Sequence, residues 1–267
     1  MNAPERMFLP DIQSTKDHRE IAIDKVGIRG LRHPITVTAA GGTQVPAIAM
    51  VEMAVALSAV QKGTHMSRFL EVLQAHEGGI AVTTLPELLR AMLKHLEAEQ
   101  GAISLRFAYF IMKQAPVTGV QSLMDYDVCL SASGNRQDVE LSMEVVVPVT
   151  SLCPCSKEIS AYGAHNQRSA VTISAVLASP IPLEDLIAVA ERSASCELYG
   201  LLKRPDEKYV TERAYDNPRF VEDLVREVAL QLERDQRIAA YRVICENFES
   251  IHNHSAYAAI ERDMRAP

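Results

Sequence analysis

The order of strand-like and helix-like runs constrains this chain most, because one six-element pattern occurs twice. Alternating apolar positions mark extended runs near 28–39 and 45–58, helical spacing follows near 67–77 and 84–100, and alternation returns near 102–114 and 121–133. The second half reads the same way: extended near 138–150 and 168–178, helical near 183–201 and 219–234, extended near 237–248 and 255–261. Each half is therefore ββααββ, which predicts an α+β fold with two helices packed on one face of an antiparallel sheet. Repetition of the order without convincing sequence identity reads as a tandem duplication, with units at 27–135 and 136–267. Residues 1–26 are polar, contain Pro4 and Pro10, hold no sustained period, and are expected to form an N-terminal arm. Thr84-Leu85-Pro86-Glu87 reads as a helix start, and Leu88, Leu89, Met92, Leu93 and Leu96 then form a core-facing stripe.

Composition removes several function classes. The 267 residues are 48% hydrophobic, enough for one large core or two modest ones. A net charge of −7 argues against general nucleic-acid binding, and no apolar run approaches the length of a membrane span. An anionic ligand must then meet a local basic patch. The five cysteines are an odd set and Met1–Met7 lacks a basic start with an apolar signal core, so a reduced, cytoplasmic protein is expected.

Chemistry concentrates between Cys153 and Ser169. Cys153-Pro154-Cys155 supplies thiols and His165 an imidazole, and a carboxylate from elsewhere would complete a three-ligand transition-metal site with one position open for water. The twelve-residue separation matches no compact zinc-finger pattern. Cys153 and Cys155 share a face if the segment is extended, and Cys153 is the preferred sulfur, as a metal ligand or a nucleophile. Glu249, His252 and His254 sit in a polar interruption between extended runs, where imidazoles are suited to acid–base work and an extended segment would put both on one face. Glu207, amid Asp206, Lys208 and Arg204, reads by itself as a solvated loop charge. No Gly-x-x-x-x-Gly-Lys-Ser/Thr phosphate loop is present.

The run Ser151–Ser160 followed by Tyr162–Ser169 resembles the GTP cyclohydrolase IB family, and similar runs occur at Gly63–Phe69, Lys203–Glu207 and Asn247–His254. The resemblance implies a tunnelling fold, in which such units assemble edge to edge into barrels within a homotetramer with interface active sites. It implies Cys153, His165 and Glu207 as ligands of a divalent metal, leaving zinc, manganese and ferrous iron open, with no organic cofactor. It also implies Glu222 as the anchor of a guanine base, whose N1–H and exocyclic N–H suit a carboxylate. Lys62, Thr64, His65, Arg68, Lys157, Gln167 and Arg168 become the expected triphosphate contacts. The implied reaction is hydrolysis of GTP to dihydroneopterin triphosphate and formate, with Cys153, Glu249, His252 and His254 as catalytic groups. Two rivals stand beside it: a tunnelling-fold nitrile reductase using a nucleophilic Cys and a nicotinamide cofactor, and a non-catalytic purine- or metal-binding protein.

Overall fold

The computed structural model describes residues 11–13, 15–76 and 78–265. One antiparallel nine-stranded sheet runs through it. Strands β1 (Ile23–Thr38) and β2 (Gln44–Leu57) form a long hairpin, helices α1 (Met66–Gln74) and α2 (Leu85–His95) follow, and β3 (Gly101–Gln114) returns beside β2. Then come β4 (Gln121–Gly134), β5 (Val139–Leu152), the short α3 (Pro154–Ile159), β6 (Asn166–Leu177), α4 (Leu183–Ser193) and β7 (Cys196–Glu197). Helices α5 (Arg204–Asp216) and α6 (Val221–Glu233) precede β8 (Ile238–Asn247) and β9 (Ala256–Asp263). The sheet order is β1-β2-β3-β4-β5-β6-β8-β9, with β7 pairing only β5.

The period-2 pattern explains which face is covered. Ile103, Leu105, Phe107 and Tyr109 alternate inward on β3, as do Met143, Val145, Val147 and Val149 on β5, and all are buried. They meet the apolar stripes of α2 (Leu88, Leu89, Met92, Leu93), α4 (Leu186, Ile187, Ala190) and α6 (Leu224, Val225, Val228, Leu232). Burying one such Leu or Ile removes it from water at a gain of about 1.5–3 kcal/mol, so the three stripes hold the helices to the sheet. In β1 the register shifts between Ile28 and Leu31, where Gly30 takes φ +76°, a conformation glycine adopts without strain.

Several expectations change. The first strand starts at Ile23, inside the expected arm, and Asp17 N–H bonds to Val60 O at 3.0 Å. The helix expected to reach residue 100 stops at His95, followed by Glu97 at φ +55°. The helix expected over 183–201 stops at Ser193, because residues 196–197 leave to pair with β5. Helix α5 was expected as a loop, so Glu207 stands on a first helical turn. Among the described residues, no helix is long and apolar enough to cross a membrane.

Candidate functional site

At one end of the sheet the inward stripe turns from apolar to polar. Val147 and Val149 give way to Ser151 on β5, Ile173 and Val171 to Ser169 and Gln167 on β6, and Val243 and Cys245 to Asn247 on β8, every one of them buried. Register puts these residues side by side, Ser151 opposite Gln167 and Ser169 opposite both Val149 and Asn247. The Ser169 hydroxyl donates to Asn247 Oδ1 at 2.7 Å and lies 2.9 Å from Ser151 Oγ, stitching three strands where the ladder ends. Ser151, Ser169 and Asn247 are tolerated this deep because they are paired with one another.

Cys153 and His165 sit just beyond that stitch. Cys153 N–H donates to His165 O at 3.3 Å, so the two residues face each other across the end of the β5–β6 pair. Cys153 ends the strand and caps α3, whereas Cys155 lies within that helix. The extended geometry expected to put both sulfurs on one face is therefore absent: Cys153 is half-buried and Cys155 exposed. Half-buried His165 has its Nδ1 2.9 Å from Ser250 Oγ; with Nδ1–H as donor, the Nε2 lone pair is left for a ligand. Gln167 Nε2 donates to Glu249 Oε1 at 3.0 Å, and its own Oε1 is buried without a partner.

The 248–255 segment is a bend rather than the extended run expected for Glu249, His252 and His254. The two imidazoles nevertheless stack, centroids 5.2 Å apart and planes 17° apart. Lys157 Nζ donates to Tyr215 O at 2.6 Å and lies 4.3 Å from the Tyr215 ring centroid, tying α3 to α5. Arg168 and Glu222 are exposed, the latter on the first turn of α6.

Glu207 follows Asp206, which is fully buried and accepts from Val117 N, Thr118 N, Thr118 Oγ1 and Lys203 N at 2.6–2.9 Å. Burial pushes the Asp206 carboxyl up, but the bonds from Thr118, Lys203 and Val117 outweigh it and hold it well below the usual carboxylate range. Asp206 thus fastens the start of α5 to the β3–β4 turn. As a test of the metal expectation, Cys153 and His165 are joined through their backbones at the strand ends, which brings a thiol-bearing and an imidazole-bearing residue to one place. Among the described residues, no three His, Cys, Asp or Glu side chains are grouped to hold a metal ion, so Glu207 does not close a trio here.

Lys62, His65 and Arg68 are elsewhere. His65 and Arg68 line a cavity of about 260 Å³ with Val55, Leu57, Leu96 and Ala98, at the sheet end where β2 finishes and β3 begins. Through the antiparallel registers this is the end where β4 finishes and β5 begins, opposite to Cys153, and roughly 40 Å of strand path separates them. His65 Nε2 lies 3.2 Å from Asp11 Oδ2, and exposed Lys62 donates its backbone N–H to Thr15 O at 3.2 Å. Sequence reasoning missed Ser250 and Asp206. Ser250 was signalled only by lying between Glu249 and His252, and Asp206 by its position three residues after Lys203, where a capping carboxylate stands.

Comparison with known proteins completes the picture. The chain matches the family described as type I GTP cyclohydrolase folE2 over residues 9–258. It is 58% identical over 257 residues to GTP cyclohydrolase FolE2 2 of Burkholderia lata, covering 96% of each chain. It is 58% identical over 268 residues to GTP cyclohydrolase FolE2 of an Azoarcus species, covering 99% of each. Among solved structures it is similar to a uricase from Arthrobacter globiformis (TM-score 0.52, 8% identity, 91% of this chain and 95% of that one) and one from Bacillus fastidious (0.54, 9%, 90% and 93%). At such identity the likeness shows the fold alone, an α+β tunnelling fold. With nearly the whole length matched, the chain belongs to the type I GTP cyclohydrolase FolE2 family.

Proposed function

We propose that this protein hydrolyses GTP to 7,8-dihydroneopterin 3′-triphosphate and formate, the entry step to folate-type pterins. The observation that carries the reading, beside family membership, is the meeting of Cys153, His165, Gln167 and Glu249 where three strands end. Cys153 and His165 are the groups that would hold a divalent metal, zinc, manganese or ferrous iron, and the family likeness adds Glu207 as the third ligand. Such an ion supplies a hydroxide nucleophile at neutral pH. Glu222, on an accessible helical turn, accepts from guanine N1–H and the exocyclic amine and so rejects adenine. Water adds at C8 and opens the imidazole ring, a second water cleaves the resulting formamide to release formate, and the freed amine recloses on the rearranged ribose carbon with loss of one water. Stacked His252 and His254, close in sequence to Glu249, deliver protons to the ring nitrogens.

The triphosphate contacts proposed at Lys62, His65 and Arg68 lie at the opposite end of the same chain from Lys157, Gln167 and Arg168. Two subunits placed end against end bring both sets to one substrate, which favours a homo-oligomer, a tetramer, with active sites between chains. Free cysteines and a nucleotide substrate favour the cytoplasm. Incubation with GTP and each divalent metal tests the reading: formate and, after oxidation, a fluorescent pterin are expected. GTP binding without formate would leave a purine-binding protein instead.

A further inference from the structure

Arg219 sits in a pinned segment just beyond the Cys153 end of β5. Its backbone N–H donates to Leu152 O at 3.1 Å, on the side of β5 away from β6, one residue before Cys153. Asn217 Nδ2 donates to the carbonyls of Ala194 and Ser195 at 2.9 and 3.3 Å, and Phe220 N–H to Asp223 Oδ2 at 3.2 Å, so the segment is pinned on both sides of the arginine. The side chain is half-buried, and its Nε is buried without a hydrogen-bond partner. No carboxylate among the described residues pairs with it, although Glu222 and Asp223 follow within four positions. A guanidinium removed from water without an anion is unfavourable, and its planar fork matches the oxygens of a phosphate.

Of the other cations around this end, Arg168 is exposed to solvent, and three more are engaged by protein groups. Lys113, 8% exposed, is held by Glu191 and Glu197 at 2.8 and 2.5 Å. Lys157 is occupied by the Tyr215 carbonyl and ring. Arg213 reaches the Tyr209 hydroxyl at 3.4 Å. Arg219 is left as a partly desolvated cation with a donor to spare, between Cys153 and the guanine-reading position Glu222.

We propose that Arg219 binds the phosphate chain of the nucleotide, making it a determinant of triphosphate over nucleoside recognition. The inference rests on the GTP reading. Calorimetry on the full-length oligomer, with inorganic tripolyphosphate and guanosine as separate probes, tests it. Arg219→Met should weaken tripolyphosphate by about 10- to 100-fold, the loss of one charge-assisted hydrogen-bonding group, and leave guanosine unchanged. Arg219→Lys, which keeps the charge but not the fork, should fall between, and it carries the test if the Met variant does not fold. Equal weakening of both probes, or tripolyphosphate binding as in the wild type, would overturn the proposal. Wild-type binding of tripolyphosphate through Arg219 with no formate from GTP would uphold the anion site and remove the reaction instead.

Discussion

Replacing Lys113 with Met asks how the floor of the site is held. Lys113 on β3 bonds Glu191 of α4 and Glu197 of β7, and β7 pairs with Val149 and Thr150, a few residues before Cys153. The ammonium side chain is 8% exposed and the two carboxylates 15% and 24%. Removing one partner from a buried ion pair costs about 3–5 kcal/mol; because Tyr126 also donates to Glu191 at 2.7 Å, the lower end applies. For a chain of this size about 3 kcal/mol lowers Tm by roughly 6–12 °C. The pH dependence has a definite sign. Burial pushes the Glu197 carboxyl up, but Lys113 outweighs it and the folded value lies below the ordinary one. In the wild type its contribution is therefore full above the unfolded carboxylate range and lost only as pH falls through the depressed value. In Lys113→Met, burial is opposed only by the Tyr199 hydroxyl and the Arg213 charge, so the folded value rises, the stabilisation that Glu197 contributes above the acid range is lost, and the cost of the substitution grows as pH rises through that range. Urea unfolding at pH 8 and pH 5 should thus show the larger defect at pH 8. A defect below about 1 kcal/mol, or one equal at both pH values, would refute the reasoning.

Other consequences follow from the same geometry. Ser169→Ala leaves buried Asn247 Oδ1 and Ser151 Oγ short of a partner and should cost about 1–3 kcal/mol in urea unfolding. Ser250→Ala removes the group that orients His165 Nδ1, so metal affinity by titration should drop about 10- to 100-fold with Tm of the metal-free protein unchanged. Cys153→Ala should lose bound metal and formate release together, while exposed Cys155→Ala should retain both; the reverse order would move the site to Cys155. Glu222→Gln should keep the fold and lose about 10- to 100-fold in GTP affinity, because an amide donor then faces a guanine donor.

The core strands were legible because their side chains are buried on one face, as Ile103, Leu105, Phe107 and Tyr109 show. Helix α5 was not, because only Asp206 and Ala214 of its thirteen residues are buried and no apolar stripe exists to read. It stands on an N-terminal clamp: Pro205 in the first turn and Asp206 bonded to a turn more than eighty residues away. The α4 overrun has a similar cause, since apolar Leu198, Leu201 and Leu202 mimic helix spacing while β7 is fixed by partners on β5. At the site, residue types and family likeness named Cys153 and His165, but their contact comes from the β5–β6 register, which closes the twelve-residue gap around α3. The separation of Arg68 from Cys153 depends on strand direction across four strands, and no local pattern encodes it.

Subunit mixing tests most directly the claim that one GTP site is assembled from opposite ends of two chains. Arg68→Ala and Cys153→Ala proteins should each release little formate from GTP alone, and after denaturation and joint refolding about a quarter of sites should combine two intact halves and recover turnover. Joint refolding that leaves formate release at the level of the separate variants would contradict the shared site.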